Sequence, residues 1–345
     1  VYCPWDSFSN FASLAYIEGA KSSMESSIHT NIPGLVNIFK DTDVEICYSD
    51  PIMHPAYKFQ GQLQQFDVSI SFPPLNEKYD KQVNEEDWLN RFPDKTTSGN
   101  VLNVRHIMSQ TKEKAVIAVT NRVLFSSGAE QSLRADLLKN NQIEAVISLP
   151  SGLLTNTGIS FSIIVIDIQG KSSHVNFVNG NDKRFFSKDR KLGAKLENWQ
   201  LLLDTLRAGK DESCVVRVPV ERVIANNCYL EVSEYTQPPE KKKIDEFLRK
   251  SQTETLDAVV EIIRLPLKQR VAENIAIENV TEAIEITMSD FPEYGCVRNP
   301  SRIIKLEKEN KTEYFLEPGD ILVSVKASSG KVAIVADTVK DKENR

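Results

Sequence analysis

Residue types able to do chemistry are thinly spread in this 345-residue chain. His29, His54, His106 and His174 show no metal-ligand spacing, so no metal site is expected. Ser126 and Ser127 lack the strand–turn–helix setting of an activated nucleophile. Cys3, Cys47, Cys214, Cys228 and Cys296 are scattered and never spaced C-x-x-C, which reads as reduced structural thiols. One stretch stands apart, Phe66–Leu75, FDVSISFPPL. Val68 and Ile70 alternate with Asp67 and Ser69, predicting a buried strand over Phe66–Ser71 that stops at a double proline. Pro73 and Pro74 cannot donate to a sheet ladder, and each fixes its own φ. The chain must therefore leave the strand's carboxyl end in one stiff loop, which is where an open α/β sheet binds its ligands.

The elements that would hold this loop can be read around it. Val101–Lys112 places Val101, Val104, Ile107 and Met108 on one helical face, and Ala115–Thr120 reads as a buried strand. Ala129–Asn140 has helical spacing, while Gln142–Leu149 and Ser162–Ile168 have strand patterns, with Gly, Ser and Asn clusters between them. That succession is the skeleton of a doubly wound domain. Lys78–Asn100, polar and acidic around Trp88, reads as a long exposed loop, functional or mobile. Gln237–Glu254 reads as a linker with a short amphipathic helix carrying Ile244, Phe247 and Leu248. Hydrophobic content of 41% and charged content of 26% are ordinary for a globular protein. No apolar run approaches a membrane span and no signal peptide is evident, so the expectation is a cytoplasmic protein. The net charge of −6 argues against a uniformly basic surface but leaves room for a local stripe of Lys and Arg.

FDVSISFPPL resembles the catalytic loop of the adenine-modifying methyltransferase subunits of type I restriction-modification systems, which reads F-D-x-x-x-x-N-P-P-F. Phe72 stands at the Asn position and Leu75 at the final aromatic. Val1–Ala12 resembles the cofactor loop V-Y-D-P-x-C-G-S-G-G-F, with Tyr2, Pro4 and Phe11 keeping the frame and Ser7, Ser9 and Asn10 replacing its glycines. The strongest likeness runs through Leu124, Phe125, Gly128, Glu130 and Arg134, then Ile143–Ile147 and Pro150, then Thr157, Gly158 and Ile159.

The resemblance implies an α/β, doubly wound Rossmann-like methyltransferase sheet with helices on both faces over residues 1–236, lacking its N-terminal part. Residues 237–255 would be a linker. Residues 256–345, with LEPGDILVS and SSGKVAIV, resemble a type I specificity target-recognition domain, smaller, α+β and incomplete. It further implies S-adenosylmethionine near Tyr2, Pro4 and Asp50. The acid holding the ribose has its best match in Ser27–Asn31, which offers no carboxylate. Asp50 either lies beside the adenine or simply forms the turn before Pro51. In the family, the Asn side chain and the first Pro carbonyl accept hydrogens of the target amine on a flipped base. Phe72, Pro73, Pro74 and Leu75 would form that catalytic loop here. Phe72 offers no acceptor, a loss worth about two to three orders of magnitude in rate. Leu75 removes a stacking face worth roughly 1–3 kcal/mol.

The expectation is therefore a catalytically degenerate pseudoenzyme with no bound cofactor. Its partners would be double-stranded DNA and other restriction-modification or defence subunits. The alternative is an active adenine-specific enzyme using S-adenosylmethionine. Candidate DNA contacts are Lys183, Arg184 and Lys188, interleaved with Phe185 and Phe186, and Lys326 and Lys331 on a C-terminal hairpin; the commoner role of such lysines and arginines is a solvated surface.

Overall fold

A computed structural model describes residues 1–336 except 155–157, 190–192, 210–213, 237–242, 244–245, 249, 252, 262–279, 293–294, 298–301, 308–314 and 325–330. The chain divides into two compact units, Val1–Ser251 and Gln252–Arg345. The expected linker crosses that division.

The first unit is built on a nine-stranded sheet. In chain order it contains β1 (Tyr2–Pro4), α1 (Asn10–Ile17), β2 (Ser23–Ser26), α2 (Ile32–Lys40) and β3 (Glu45–Tyr48). A small hairpin, β4 (Lys58–Phe59) and β5 (Gln62–Leu63), leads into β6 (Phe66–Ser71). There follow α3 (Gln82–Glu85), α4 (Gly99–Ser109), β7 (Thr111–Thr120), α5 (Arg122–Phe125), α6 (Ala129–Lys139), β8 (Ile143–Ser148), β9 (Phe161–Asp167) and β10 (His174–Asn179). A second hairpin, β11 (Phe186–Asp189) and β12 (Gly193–Leu196), precedes α7 (Trp199–Ala208), β13 (Val215–Pro219), α8 (Val220–Ala225) and α9 (Val232–Tyr235).

Across the sheet the order is β13-β10-β8-β9-β7-β6-β1-β2-β3. β9 runs antiparallel between β7 and β8, and β13 antiparallel on β10; the remaining pairings are parallel. The order in which strands are added reverses between the parallel β1 and β6, so the two central carboxyl ends, Pro4 and Ser71, open at a topological switch point. Layers of helix cover both faces, as parallel strands require. On one face Val104 and Ile107 of α4, Leu133 and Leu137 of α6 and Val223 of α8 bury Ile117, Val146 and Phe177. On the other, Ala12 of α1 packs on Cys3 and Met24, while Leu202 of α7 packs near Val178 and Phe185.

Two expectations need correction. The helix over Val101–Lys112 ends at Ser109, because Thr111 already pairs with Phe66 and begins the ten-residue β7. Lys78–Asn100 is no solvated loop: Val83, Phe92 and Arg91 are buried in it, and it contributes a small apolar cluster with Ile52 and Leu102.

The second unit contains two antiparallel pairs, β14 (Val280–Glu285) with β15 (Arg302–Glu307) and β16 (Ile321–Val323) with β17 (Val332–Ile334). Its core is Val297, Ala333 and Val335, with Ile286, Phe291, Leu316 and Leu322 against it. The turn before β16 is pinned by Asp320, whose carboxylate accepts the Glu317 N–H at 2.8 Å.

Candidate functional site

The switch-point cleft has a volume of about 390 Å³. Four loops wall it: Trp5 and Ser7 after β1, Ser26–Ile28 after β2, Phe72–Leu75 after β6, and Leu154 with Ile159 before β9. None of these residues carries a charge. The Phe72 ring sits edge-on to Phe161, centroids 5.0 Å apart, so an aromatic fills the wall where the resemblance places a hydrogen-bonding Asn. Pro73 is buried, Pro74 exposed, and Leu75 half-buried beside the same apolar cluster. Past Leu75 the loop is tied down where Gly99 N–H donates to the Glu77 carbonyl at 2.9 Å; a Cβ at Gly99 would meet that carbonyl at 2.7 Å.

The loop after β1 is held in an unusual conformation by its own side chains. Trp5 and Ser9 adopt φ 63° and 57°, left-handed values that favour glycine. Asp6, absent from the sequence-level site, is buried and accepts the N–H groups of Asn10, Phe11 and Ala12 at 2.8, 2.9 and 2.9 Å. Those are donors of the first turn of α1, which would otherwise face an anionic or polar ligand. Burial raises the Asp6 carboxyl above its ordinary range, opposed by those three hydrogen bonds and by Lys40. An acid four positions ahead of an apolar helix was the available signal. Ser7 Oγ meets Ser26 Oγ at 2.8 Å, so a hydrogen bond spans the gap between the ends of β1 and β2.

Tyr2, Pro4 and Asp50 lie off the cleft wall. Tyr2 is fully buried under the sheet, its hydroxyl donating to Glu25 Oε2 at 2.5 Å and meeting His106 Nε2 at 3.1 Å. Pro4 is buried, its carbonyl accepting from Ser71 Oγ at 3.1 Å. Asp50 Oδ1 accepts the N–H groups of Ile52 and Met53 at 2.8 and 3.1 Å, which is the turn-forming arrangement.

Beneath the cleft runs a buried polar chain that sequence reasoning did not find. Arg91 donates from Nη1 to the Pro51 carbonyl at 3.0 Å and from Nη2 to the Ile52 carbonyl at 2.6 Å, and pairs through Nε with Asp87 at 2.8 Å. Its Nη1 also lies 3.0 Å from His106 Nδ1. Arg91 can only donate, so Nδ1 accepts, the neutral ring carries its proton on Nε2, and that proton points at Tyr2. Burial, then Arg91, lowers the His106 pKa well below its usual value, consistent with the neutral ring. At the far end Glu25 accepts Ala56 N–H at 2.7 Å, and burial raises its carboxyl pKa. Trp5 covers His106 edge-on with centroids 5.8 Å apart, so the chain supports the cleft floor.

The basic candidates fall apart from this cleft. Lys183, Arg184 and Lys188 are exposed around the β11–β12 hairpin; Arg184 pairs with Asp182 at 3.1 Å. Phe185 is fully buried, a core anchor rather than a stacking platform. Lys331 is exposed next to β17, whereas Lys326, and Thr157 of the family likeness, lie outside the described residues. Among the described residues no helix is long and apolar enough to cross a membrane.

A mostly parallel sheet with one antiparallel strand inserted beside β7, and a cleft at its switch point, is a Rossmann-like methyltransferase architecture. The chain belongs to the N-6 DNA methylase family, whose profile matches residues 30–244. It is 26% identical over 193 residues to the type I restriction enzyme MpnII methylase subunit of Mycoplasma pneumoniae, covering 52% of this chain and 35% of that one. Over 216 residues it is 26% identical to the MjaVIII methylase subunit of Methanocaldococcus jannaschii, covering 57% and 37%. The chain thus spans little more than a third of these relatives. The crystal structure of a type I restriction-modification methyltransferase subunit from Streptococcus thermophilus superposes with a TM-score of 0.60 at 16% identity, covering 68% of this chain and 54% of that one.

Proposed function

We propose that this chain is a methyltransferase-like, DNA-binding component of a type I restriction-modification or phage-defence assembly, and that its cleft no longer supports methyl transfer. The observation that carries the reading is the chemistry of the cleft wall, which is uncharged and has the Phe72 ring where an amide acceptor is required. S-adenosylmethionine, the cofactor the family implies, does not fit the residues present. The donors at the start of α1 are taken by Asp6, the Ser7–Ser26 hydrogen bond crosses between the ends of β1 and β2, and among the described residues no carboxylate lines the cleft to hold a ribose. Tyr2, Pro4 and Asp50 then serve as structural groups. Duplex DNA is the partner in this reading, met through the exposed Lys183, Arg184 and Lys188 and through a target-recognition-like segment carrying Lys326 and Lys331.

The opposing reading, an active adenine-specific enzyme with diverged loops, is favoured by one observation: the cleft remains open at the switch point with both prolines in place. Calorimetric titration with S-adenosylmethionine separates the two. The degenerate reading expects no heat of binding at micromolar cofactor and no methyl transfer to duplex DNA, alongside a DNA mobility shift that weakens as salt rises. Micromolar cofactor binding or any methylated adenine would overturn it.

A further inference from the structure

The outer faces of α1 and α2 invert the usual pattern of a surface helix. In α2, Ile32, Leu35, Ile38 and Phe39 recur at helical spacing on the solvent side, with Ile38 74% and Phe39 83% exposed. Leu14 and Ile17 of the adjoining α1 are also exposed. Charge is missing from both segments: Ser7–Ile17 and Ser26–Phe39 contain no Asp, Glu, Lys or Arg, in a chain that is 26% charged. The layer beneath is unfinished as well, since Ile70 and its parallel partner Val116 are only half-buried on the sheet face that α1 covers.

From these observations we infer that the α1–α2 face is a homodimer interface, occupied by the same face of a second copy of this chain about a two-fold axis. Side chains of this size carry roughly 150–200 Å² each, so six of them, two-fifths to four-fifths exposed, present on the order of 600 Å². That stands at the upper end of the largest apolar patch of most monomers, roughly 300–600 Å². It approaches the roughly 800 Å² per partner of a standard stable interface. A two-fold axis brings like against like, so the centre of a self-complementary patch must be free of net charge, as this one is. Around it stand Glu18, Lys21, Lys40 and Asp41, two of each sign and all exposed, which lets a two-fold arrangement set opposite charges across the rim.

Sedimentation velocity of the full chain across about 1–100 μM tests the inference, together with hydrogen exchange at both ends of that range. A monomer–dimer equilibrium is expected, with residues 32–40 gaining protection as concentration rises. The Leu35→Glu/Phe39→Glu double variant should raise the dimer Kd at least 100-fold with an unchanged circular dichroism spectrum. Phe59→Glu, at an equally exposed aromatic in the β4–β5 hairpin, should leave it unchanged. A chain monomeric throughout the range would overturn the inference. So would a dimer that survives the double variant, one that Phe59→Glu abolishes equally, or self-association without protection at 32–40.

Discussion

Replacing Asp6 tests how the loop after β1 is held. Asp6→Ala removes the acceptor for three N–H groups of the first turn of α1. Asn10 is exposed and recruits water in compensation, Phe11 does so in part, and Ala12 is fully buried and does not. An orphaned buried donor costs about 1–3 kcal/mol, and a lost helix cap about 0.5–2 kcal/mol. The variant regains something, because the Asp6 carboxyl is held above its ordinary range by burial and its charge is costly where it sits. The net loss should be about 2 kcal/mol. For a domain of this size that corresponds to a fall in Tm of roughly 4–8 °C. Asp6→Asn keeps one oxygen for Phe11 and Ala12 but turns an amide N–H toward that of Asn10, so about half the loss is expected. The assay is a near-UV circular dichroism melt, followed by urea unfolding. An alanine variant melting within about 1 °C of the parent, or an asparagine variant less stable than the alanine one, would refute the reasoning.

Glu25→Gln should alter the pH dependence of stability. Burial raises the folded-state pKa of Glu25, so folding binds its proton more tightly than the unfolded chain does. The penalty is absent below the unfolded carboxylate pKa and grows as pH rises through the raised value; the glutamine variant should lose less stability over that rise in urea titrations, and parallel profiles would contradict this. Arg134 is buried and donates to three backbone carbonyls, Cys228 through Nε at 2.8 Å and Val123 and Ser126 through Nη1 at 2.8 and 2.9 Å. Arg134→Lys puts one ammonium where a planar fork is needed and should cost about 3 kcal/mol, read from the urea midpoint; a loss below about 1 kcal/mol would count against that role.

Elements with strong periodicity were legible in the sequence. β6 spans the predicted Phe66–Ser71, β8 and α6 fall within the expected segments, and β9 lies one residue ahead of the expected Ser162–Ile168, because their apolar residues must face a core whichever partners supply it. The switch-point position of the Phe72–Leu75 loop followed from the double proline, and the cleft lies there. What escaped was set by contacts distant in sequence. Arg91 sits in a polar, acidic segment and reads as solvated, yet it is buried by Pro51, Ile52 and His106. Asp6 looks like an ordinary surface acid until α1 turns its N–H groups onto it. Phe185 reads as one of an exposed aromatic pair among cations, and only the packing of Val178 and Leu202 shows it to be core.

The insertion of β9 between β7 and β8 has a consequence for synthesis. β8 is complete at Ser148, but it cannot join the sheet beside β7 until β9, ending at Asp167, has been made to lie between them. At about 5–20 residues per second on the ribosome, that gap of roughly twenty residues lasts about 1–4 s. For that interval the Val- and Ile-rich edges of both strands are open to pairing with other chains. Nascent polypeptides ending between residues 148 and 167 should accordingly be the most aggregation-prone and the most dependent on chaperones.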